Sequence, residues 1–315
     1  MITTDVSKAV SALKKGEVVA IPTETVYGLA ANALDSQAVA QIYALKQRPI
    51  DHPLIVHVPT LAAARELTLA FPPGAEKAAA HFWPGPLTLV LPKNKVVPDL
   101  TTGGMQSIAL RIPQSPDTLE ILKRCGFPLA APSANPFGQI SPTHASHVEQ
   151  SFGNQAPLIF DGGPCRVGVE STIVSFLGEK PCVLRLGGIP LESLEAVLGP
   201  LLVAGKTDKA IAPGMLPQHY APRTSLRVTS QKKERPPSGK RVGLLTFTSE
   251  NDTHEFAAVE VLSPKASLEE AASRFYSALR TLDALKLDLI LAHRFPDEGL
   301  GRALNDRLER ASHLN

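Results

Sequence analysis

The sequence predicts an α/β protein built of two units, and three observations predict it. The chain has 315 residues, long for a single domain. Aromatic residues make up only 5%, while 28 prolines and 22 glycines punctuate the chain, which favours short strands and many turns over a helical bundle. The texture also changes after about Pro200, where periodic apolar runs give way to a proline-rich, basic stretch. With 43% hydrophobic and 20% charged residues, the chain can bury a sizeable core and remain soluble.

Val6, Ala9, Val10 and Leu13 fall at i, i+3, i+4 and i+7, the spacing of a short amphipathic helix. Val18 to Ile21 reads as a strand that Pro22 ends. Val39, Ile42 and Leu45 mark a second helix. Short apolar runs follow at 54–58, 87–91, 108–112, 129–131, 158–160, 172–174 and 183–186. Helical stretches separate several of them, near 62–69, 75–82, 118–125 and 145–152. This mixture predicts a twisted, mixed sheet with helices packed on it, in an undetermined strand order. From 205 to 240 apolar periodicity is weak, prolines recur and Lys232, Lys233, Arg235, Lys240 and Arg241 make the stretch basic, as in a linker. Beyond it, strands at 242–247, 259–262 and 287–292 alternate with helices at 268–282 and 303–311, the pattern of a small parallel α/β domain.

The formal net charge of +2 neither demands nor excludes a nucleic-acid partner. Three cysteines without a Cys-x-x-Cys argue against a disulfide framework or a cysteine zinc site, and suit a reducing compartment. Met1 to Gly16 mixes acids and lysines and does not read as a signal peptide. No stretch approaches the roughly 18 apolar residues of a membrane span. The expectation is a cytoplasmic protein without membrane contact.

Several segments could carry chemistry, each with an ordinary reading beside it. Pro22-Thr23-Glu24-Thr25-Val26-Tyr27-Gly28 follows a strand and suits a small-ligand site, or a helix N-terminus capped by a threonine. Lys46-Gln47-Arg48-Pro49 ends a helix. Its cations could neutralise a triphosphate if turned inward, or form a solvated surface pair. Ser133-Ala134-Asn135 could bind a ligand or start a turn. Arg111 and Arg185 each close an apolar run, where an arginine meets either a ligand or a structural ion pair. Gly162-Gly163 and Gly168-Val169-Glu170-Ser171-Thr172 could bring backbone N–H groups to an anion, or form a hairpin. The sequence contains neither a Gly-x-x-x-x-Gly-Lys loop, nor Gly-x-Gly-x-x-Gly after a strand, nor His-Glu-x-x-His, so the common nucleotide and zinc-hydrolase motifs are out.

Taken in order, these segments resemble the threonylcarbamoyl-AMP synthases of the YrdC-like family, in the long two-domain form. The matching stretches are Pro22 to Leu29, Lys46-x-Arg48-Pro49, Pro53-Leu54-Ile55-Val56-His57 and Trp83 to Thr88. They continue through Ala131 to Asn135, Ser141-Pro142-Thr143, Asp161-Gly162-Gly163, Gly168 to Thr172, Ala212-Pro213-Gly214-Met215 and His219-Tyr220-Ala221-Pro222. The resemblance runs from about residue 7 to the C-terminus, and its last part is the less distinctive. It implies a YrdC-like twisted mixed sheet with helices around a basic cleft, plus a small Rossmann-like α/β C-terminal domain. The implied division is 1–200 for the catalytic domain, 201–240 for a linker and lid, and 241–315 for the C-terminal domain.

By resemblance, Lys46, Arg48, Ser133 and Asn135 face one another across the cleft as the catalytic set. Arg48, His52, Thr102, Asn135, Ser141, Arg185 and Tyr220 would meet ATP. Thr25, His57, Arg111, Ser133 and Ser171 would meet L-threonine. Position 52 is histidine where relatives carry asparagine. The implied reaction joins L-threonine, bicarbonate or CO2 and ATP, with Mg2+ on the triphosphate, into threonylcarbamoyl-adenylate and pyrophosphate. No resident metal is implied. The product would pass to a transferase that modifies adenosine 37 of certain tRNAs, and some contact with RNA is conceivable on a basic cleft. The alternative class is an RNA-binding module of tRNA or ribosome maturation. The near-neutral charge and the lack of an aromatic-rich RNA-binding strand weigh against it.

Overall fold

The computed structural model describes residues 1–205, 220–231, 234–250 and 253–312. The strands are β1 (Ile2–Thr3), β2 (Val19–Ile21), β3 (Gly28–Asn32), β4 (Ile55–His57), β5 (Leu87–Pro92), β6 (Ser107–Arg111), β7 (Leu129–Ala130) and β8 (Leu158–Phe160). They continue as β9 (Thr172–Ser175), β10 (Cys182–Arg185), β11 (Leu202–Val203), β12 (Leu226–Thr229), β13 (Val242–Thr246), β14 (Ala258–Val261) and β15 (Leu289–His293). The α-helices are α1 (Val6–Lys14), α2 (Ser36–Lys46), α3 (Leu61–Glu66), α4 (Pro73–Phe82), α5 (Pro116–Cys125), α6 (Ala145–Phe152), α7 (Leu191–Leu198), α8 (Leu268–Ala284) and α9 (Gly299–Ser312).

The first eleven strands form one mixed sheet in the order β1-β8-β2-β3-β7-β4-β6-β5-β9-β10-β11. The last four form a second, wholly parallel sheet in the order β12-β15-β13-β14. A twisted mixed sheet with helices and a smaller parallel α/β unit is the class the sequence predicts. Four strands lie outside the sequence reading: the two-residue edge strands β1 and β11, and β3 and β12. β3 sits in the middle of the large sheet, between β2 and β7, and its Gly-Leu-Ala-Ala-Asn run is covered on both faces, so it shows no alternation. β12 lies inside the stretch that reads as linker, yet pairs in parallel with β15 from Leu226↔Ile290 to Thr229↔His293.

Helices cover the large sheet on both sides. α1 and α5 pack Ala9, Leu13, Ile121 and Leu122 against Ile21, Leu129 and Phe160. On the other side Val39 and Ile42 of α2, and Ala75 and Ala78 of α4, close over Leu29, Val56, Leu89 and Leu110. Each fully buried Val, Leu, Ile or Phe among them contributes about 1.5–3 kcal/mol, and each alanine about a third of that. The core of the second unit, with Phe275, Leu279, Leu282, Ile290, Leu304 and Leu308, does not stop at the unit's edge. Val26, Ile140, Val169 and Tyr220 belong to the same apolar cluster.

Candidate active site

The loops between strands converge where that shared cluster meets the large sheet. Thr23 shapes the first loop. Its Oγ1 accepts the N–H groups of Thr25 and Val26, both at 3.2 Å, and donates to the Val26 carbonyl at 2.6 Å. The threonines therefore hold a turn rather than cap a helix, because strand β3 follows at Gly28. Gly28 sits close to the next loop: a Cβ there would stand 3.1 Å from the Ala131 Cβ, a tight contact that the loop would have to ease by a few tenths of an ångström.

Glu24 and Arg111 form a buried pair, with Oε1 2.7 Å from Nη2. Glu24 Oε2 accepts the Gln114 N–H at 2.9 Å. Arg111 Nε donates to the Gly85 carbonyl at 3.2 Å, and Nη1 to Thr25 Oγ1 at 2.9 Å. The guanidinium is thus fixed in plane. His57, in register with Arg111 across β4 and β6, is buried. Burial, and then the Arg111 charge, push its pKa down to about 3, so the ring is neutral.

The cation pair at the end of α2 is not a solvated helix end: Lys46 is 1% exposed and Arg48 8%. Gln47 between them turns left-handed at φ 52° and redirects the chain. Lys46 Nζ donates to the carbonyls of Ser133 and Asn135, both at 2.5 Å, which clamps the Ser-Ala-Asn loop. Burial, then Arg48, lower its pKa well below the usual lysine value. Arg48 Nη2 donates to the Pro53 carbonyl at 3.1 Å, and its guanidinium lies 5.6 Å from the Phe137 ring centre. His52 stacks at a tilt against the same ring, 5.5 Å away. Asn135 Nδ2 donates to the carbonyls of Pro136 and Gln139, and its buried Oδ1 has no hydrogen-bond partner among the described residues.

A second carboxylate organises the far wall. Glu170 accepts Ser141 Oγ at 2.6 Å, the Tyr276 hydroxyl at 2.9 and 3.0 Å and Arg307 Nε at 2.9 Å. Next to it, Ser171 Oγ is 2.7 Å from Thr88 Oγ1. Arg185 Nη2 donates to the Ser171 carbonyl at 2.8 Å and to its Oγ at 3.1 Å. Tyr220, 1% exposed, adopts φ 67°, and the parallel bridge Gln139↔Ala221 ties the next residue to the loop after Asn135.

These groups line a pocket that opens to solvent and spans about 530 Å3 with its mouth included. Thr25, Arg48, His57, Arg111, Ser133, Ser171, Arg185 and Tyr220, all singled out from the sequence, line it. Lys46 and Asn135 stand behind the Ser133 wall, and Ser141 behind Glu170. His52 flanks Arg48 through Phe137. Thr102 is buried farther back, bonded to Lys93 Nζ at 3.2 Å and to the Met105 carbonyl at 2.9 Å, and does not line the pocket. Sequence reasoning left out Glu24 and Glu170 as working residues, although both lie in quoted motifs. A carboxylate one residue from a predicted ligand contact is the signal that could have found them. Tyr276 and Arg307 carry no local signal, since each looks like an ordinary position on a helix. Pro213 to His219, the rest of the lid segment, lies outside the described residues.

The fold and pocket define an α/β protein that brings three buried arginines, Arg48, Arg111 and Arg185, to one pocket. The Sua5–YciO–YrdC family model, described as telomere recombination, matches residues 11–187. The C-terminal domain of threonylcarbamoyl-AMP synthase matches 189–313. The threonylcarbamoyl-AMP synthase of Bacillus subtilis is 41% identical over 98% of this chain and 92% of its own length. That of Pyrococcus abyssi is also 41% identical, over 95% and 92%. The crystal structure of P. abyssi Sua5 complexed with L-threonine superposes with a TM-score of 0.90 at 40% identity, covering 98% of this chain and 94% of that one. E. coli YciO, at 24% identity and a TM-score of 0.53, shares the fold of the larger unit. The chain belongs to the threonylcarbamoyl-AMP synthase family, in its two-domain form.

Proposed function

We propose that this protein is an L-threonylcarbamoyladenylate synthase, which condenses L-threonine, bicarbonate and ATP into threonylcarbamoyl-AMP and pyrophosphate. The observation that carries the reading is Arg111. It is buried, neutralised by Glu24 at 2.7 Å, bonded to Thr25, and set into the same pocket as Arg48 and Arg185. A planar, pre-oriented guanidinium suits the threonine carboxylate. Thr25, Ser133 and Ser171 offer hydroxyls to the amino acid, and neutral His57 adds a polar edge without a competing charge. Arg48, Arg185 and Tyr220 meet the nucleotide directly, with His52, Thr102, Asn135 and Ser141 supporting or extending that side.

The chemistry needs no enzyme nucleophile. Bicarbonate yields CO2 and water by taking up the proton that the threonine amine gives up as it adds to the carbon, so a carbamate forms and water leaves. The carbamate oxygen attacks the α-phosphorus of ATP, the bond to the bridging oxygen breaks and pyrophosphate leaves. Two anions must meet, so positioning and charge stabilisation dominate. Lys46 acts by fixing the Ser133–Asn135 loop, and Arg48 by facing the charge that develops. Mg2+ enters as part of the ATP substrate. Among the described residues no cluster of His, Cys, Asp and Glu could hold it on the protein. A carbamate-phosphate mixed anhydride hydrolyses readily, and buried Tyr220 on the pocket wall limits water.

We assign catalysis to 1–200, closure to 201–240 with Tyr220 as its described contact, and support of that closure to the C-terminal unit, 241–315 together with β12. No described helix is long and apolar enough to cross a membrane. The proposed location is the cytoplasm, with a tRNA threonylcarbamoyl transferase consuming the product. Pyrophosphate release from purified protein tests the reading. It should require threonine, bicarbonate and MgATP together, and no RNA. Release that ignores threonine or bicarbonate would sink the synthase reading, and binding of RNA with no pyrophosphate at all would favour the RNA-binding module.

A further inference from the structure

The C-terminal unit reaches the pocket wall chiefly through one side chain. Arg307 on α9 is 0% exposed and heads the largest fully buried side chains. Its Nε donates to Glu170 Oε2 at 2.9 Å, Nη2 to the Leu186 carbonyl at 2.9 Å and Nη1 to Asp306 Oδ2 at 2.5 Å. Its guanidinium carbon lies 4.9 Å from the centre of the Tyr220 ring. Tyr276 on α8 supports the same carboxylate with its hydroxyl and stands 6.0 Å from Tyr220, ring to ring. Asp306 is its own neighbour on α9, but each of the other partners is at the pocket or one bond from it. Glu170 and Tyr220 line it, Leu186 follows Arg185, and Glu170 also holds Ser141.

Burying a guanidinium is a poor way to gain stability, because apolar packing of the same volume does as well or better. The fork explains its retention: one planar group meets a carboxylate, a carbonyl and a ring face at once. A lysine could satisfy one of these and not all three. Most of the threonine side is anchored elsewhere: Arg111 by Glu24 and Gly85, and Ser171 by Thr88 as well as by Arg185. We propose that Arg307, assisted by Tyr276, is a positioning residue for the nucleotide side of the pocket. It sets Glu170 with Ser141, the end of β10 that carries Arg185, and the face of Tyr220. The C-terminal unit is then part of the ATP seat and not only a docking module. Naming the ligand ATP rests on the synthase reading above.

The test uses the full chain with Arg307→Lys and, separately, Tyr276→Phe, which removes one hydroxyl. Binding of a non-hydrolysable ATP analogue is titrated with Mg2+, and KM for ATP and for threonine is measured by pyrophosphate release. Arg307→Lys should weaken the analogue about 10–100-fold, the loss expected for one or two charge-assisted hydrogen bonds. Tyr276→Phe should weaken it by a smaller factor, roughly 3–10-fold. KM for ATP should follow, while KM for threonine stays within about threefold, a split that general loosening would not produce. If folded variants bind the analogue within twofold of the parent, or if both KM values rise alike, the proposal is wrong. If Arg307→Lys does not fold, Tyr276→Phe decides alone. A parent that binds the analogue but makes no threonine-dependent pyrophosphate would overturn the synthase reading and leave the analogue titration to judge Arg307. A fully active parent whose variants bind normally would overturn this proposal alone.

Discussion

Glu24 Oε1 stands 2.7 Å from Arg111 Nη2, with the two side chains 2% and 4% exposed. A pair this deep is held by its surroundings: the carboxylate also takes the Gln114 N–H and the guanidinium also meets Gly85 and Thr25. Removing one partner of a buried pair leaves the other charge uncompensated, at a cost of about 3–5 kcal/mol. Glu24→Gln keeps the shape and deletes the charge. Its threonine KM should rise at least about tenfold while its ATP KM changes little, as steady-state kinetics on both substrates will read.

Lys46 and Arg48 should fail in different ways. Lys46 is spent on the carbonyls of Ser133 and Asn135, whereas Arg48 faces the pocket. Arg48→Ala should cut kcat by about 100-fold or more, as loss of a group that acts in the transition state does, with a smaller drop in melting temperature than Lys46→Ala. Lys46→Ala should cut turnover and also lower the melting temperature, because two buried carbonyls lose their donor. Normal kinetics in both variants would remove these residues from the site.

Substrate choice can be read on the amino-acid side. Thr25 and Ser171 are buried on the pocket wall. A missing methyl in such a pocket is worth only about 1–3 kcal/mol. Serine should therefore be turned over with kcat/KM about 10–200-fold below threonine. Equal efficiencies would count against this placement of the methyl.

Glu170 makes stability depend on pH. Burial alone would raise its pKa, but Arg307 and Arg185, with the Ser141 and Arg307 hydrogen bonds, outweigh burial and hold it down at about 2. The folded value lies below the unfolded one, so the stabilisation is complete above roughly pH 4.5 and is lost as pH falls toward 2. At neutral pH it amounts to about 3 kcal/mol. Glu170→Gln should be less stable than the parent at pH 7, and the gap should close as pH drops through 4 toward 2. Denaturant titrations across that range measure it directly. The neutral rings of buried His57 and half-buried His147 also weaken the fold in acid, from a higher pH, but equally in both proteins.

Cutting the chain near residue 205 should leave a folded but weakened large unit. Its own cores remain. Val26, Ile140 and Val169 would lose Phe275, Leu279 and their neighbours, and Glu170 would lose Tyr276 and Arg307. The fragment should melt at lower temperature and bind ATP and threonine more weakly. A fragment as active as the whole chain would reduce the C-terminal unit to an accessory.

Much of this was legible in the sequence. Apolar runs gave most strands to within a residue or two, because a strand with one covered face or a short continuous run leaves a local trace. β3 left none, since small residues covered on both faces have no alternation to show. β12 does alternate, Leu226 and Val228 inward and Arg227 outward, but four residues among prolines and cations are too few to outweigh their surroundings. The pocket arginines could be suspected because each ends an apolar run. Their partners were harder. Glu170 and Arg307 are 137 positions apart, and only the packing of α9 against the large unit brings them together.

The order in which the ribosome delivers the strands does not match their order in the large sheet. β1 pairs with β8, Ile2 opposite Ile159, and β2 pairs with β8 as well. At about 5–20 residues per second, the first strand waits roughly 8–30 seconds for its neighbour to be synthesised. During that interval β2 and β3 can form their hairpin, but the edge that β8 will occupy stays open. A nascent chain in this state offers a bare apolar edge to other chains, the setting in which holding chaperones act. Slow codons placed before residue 158 would lengthen that exposure, and faster ones there would shorten it.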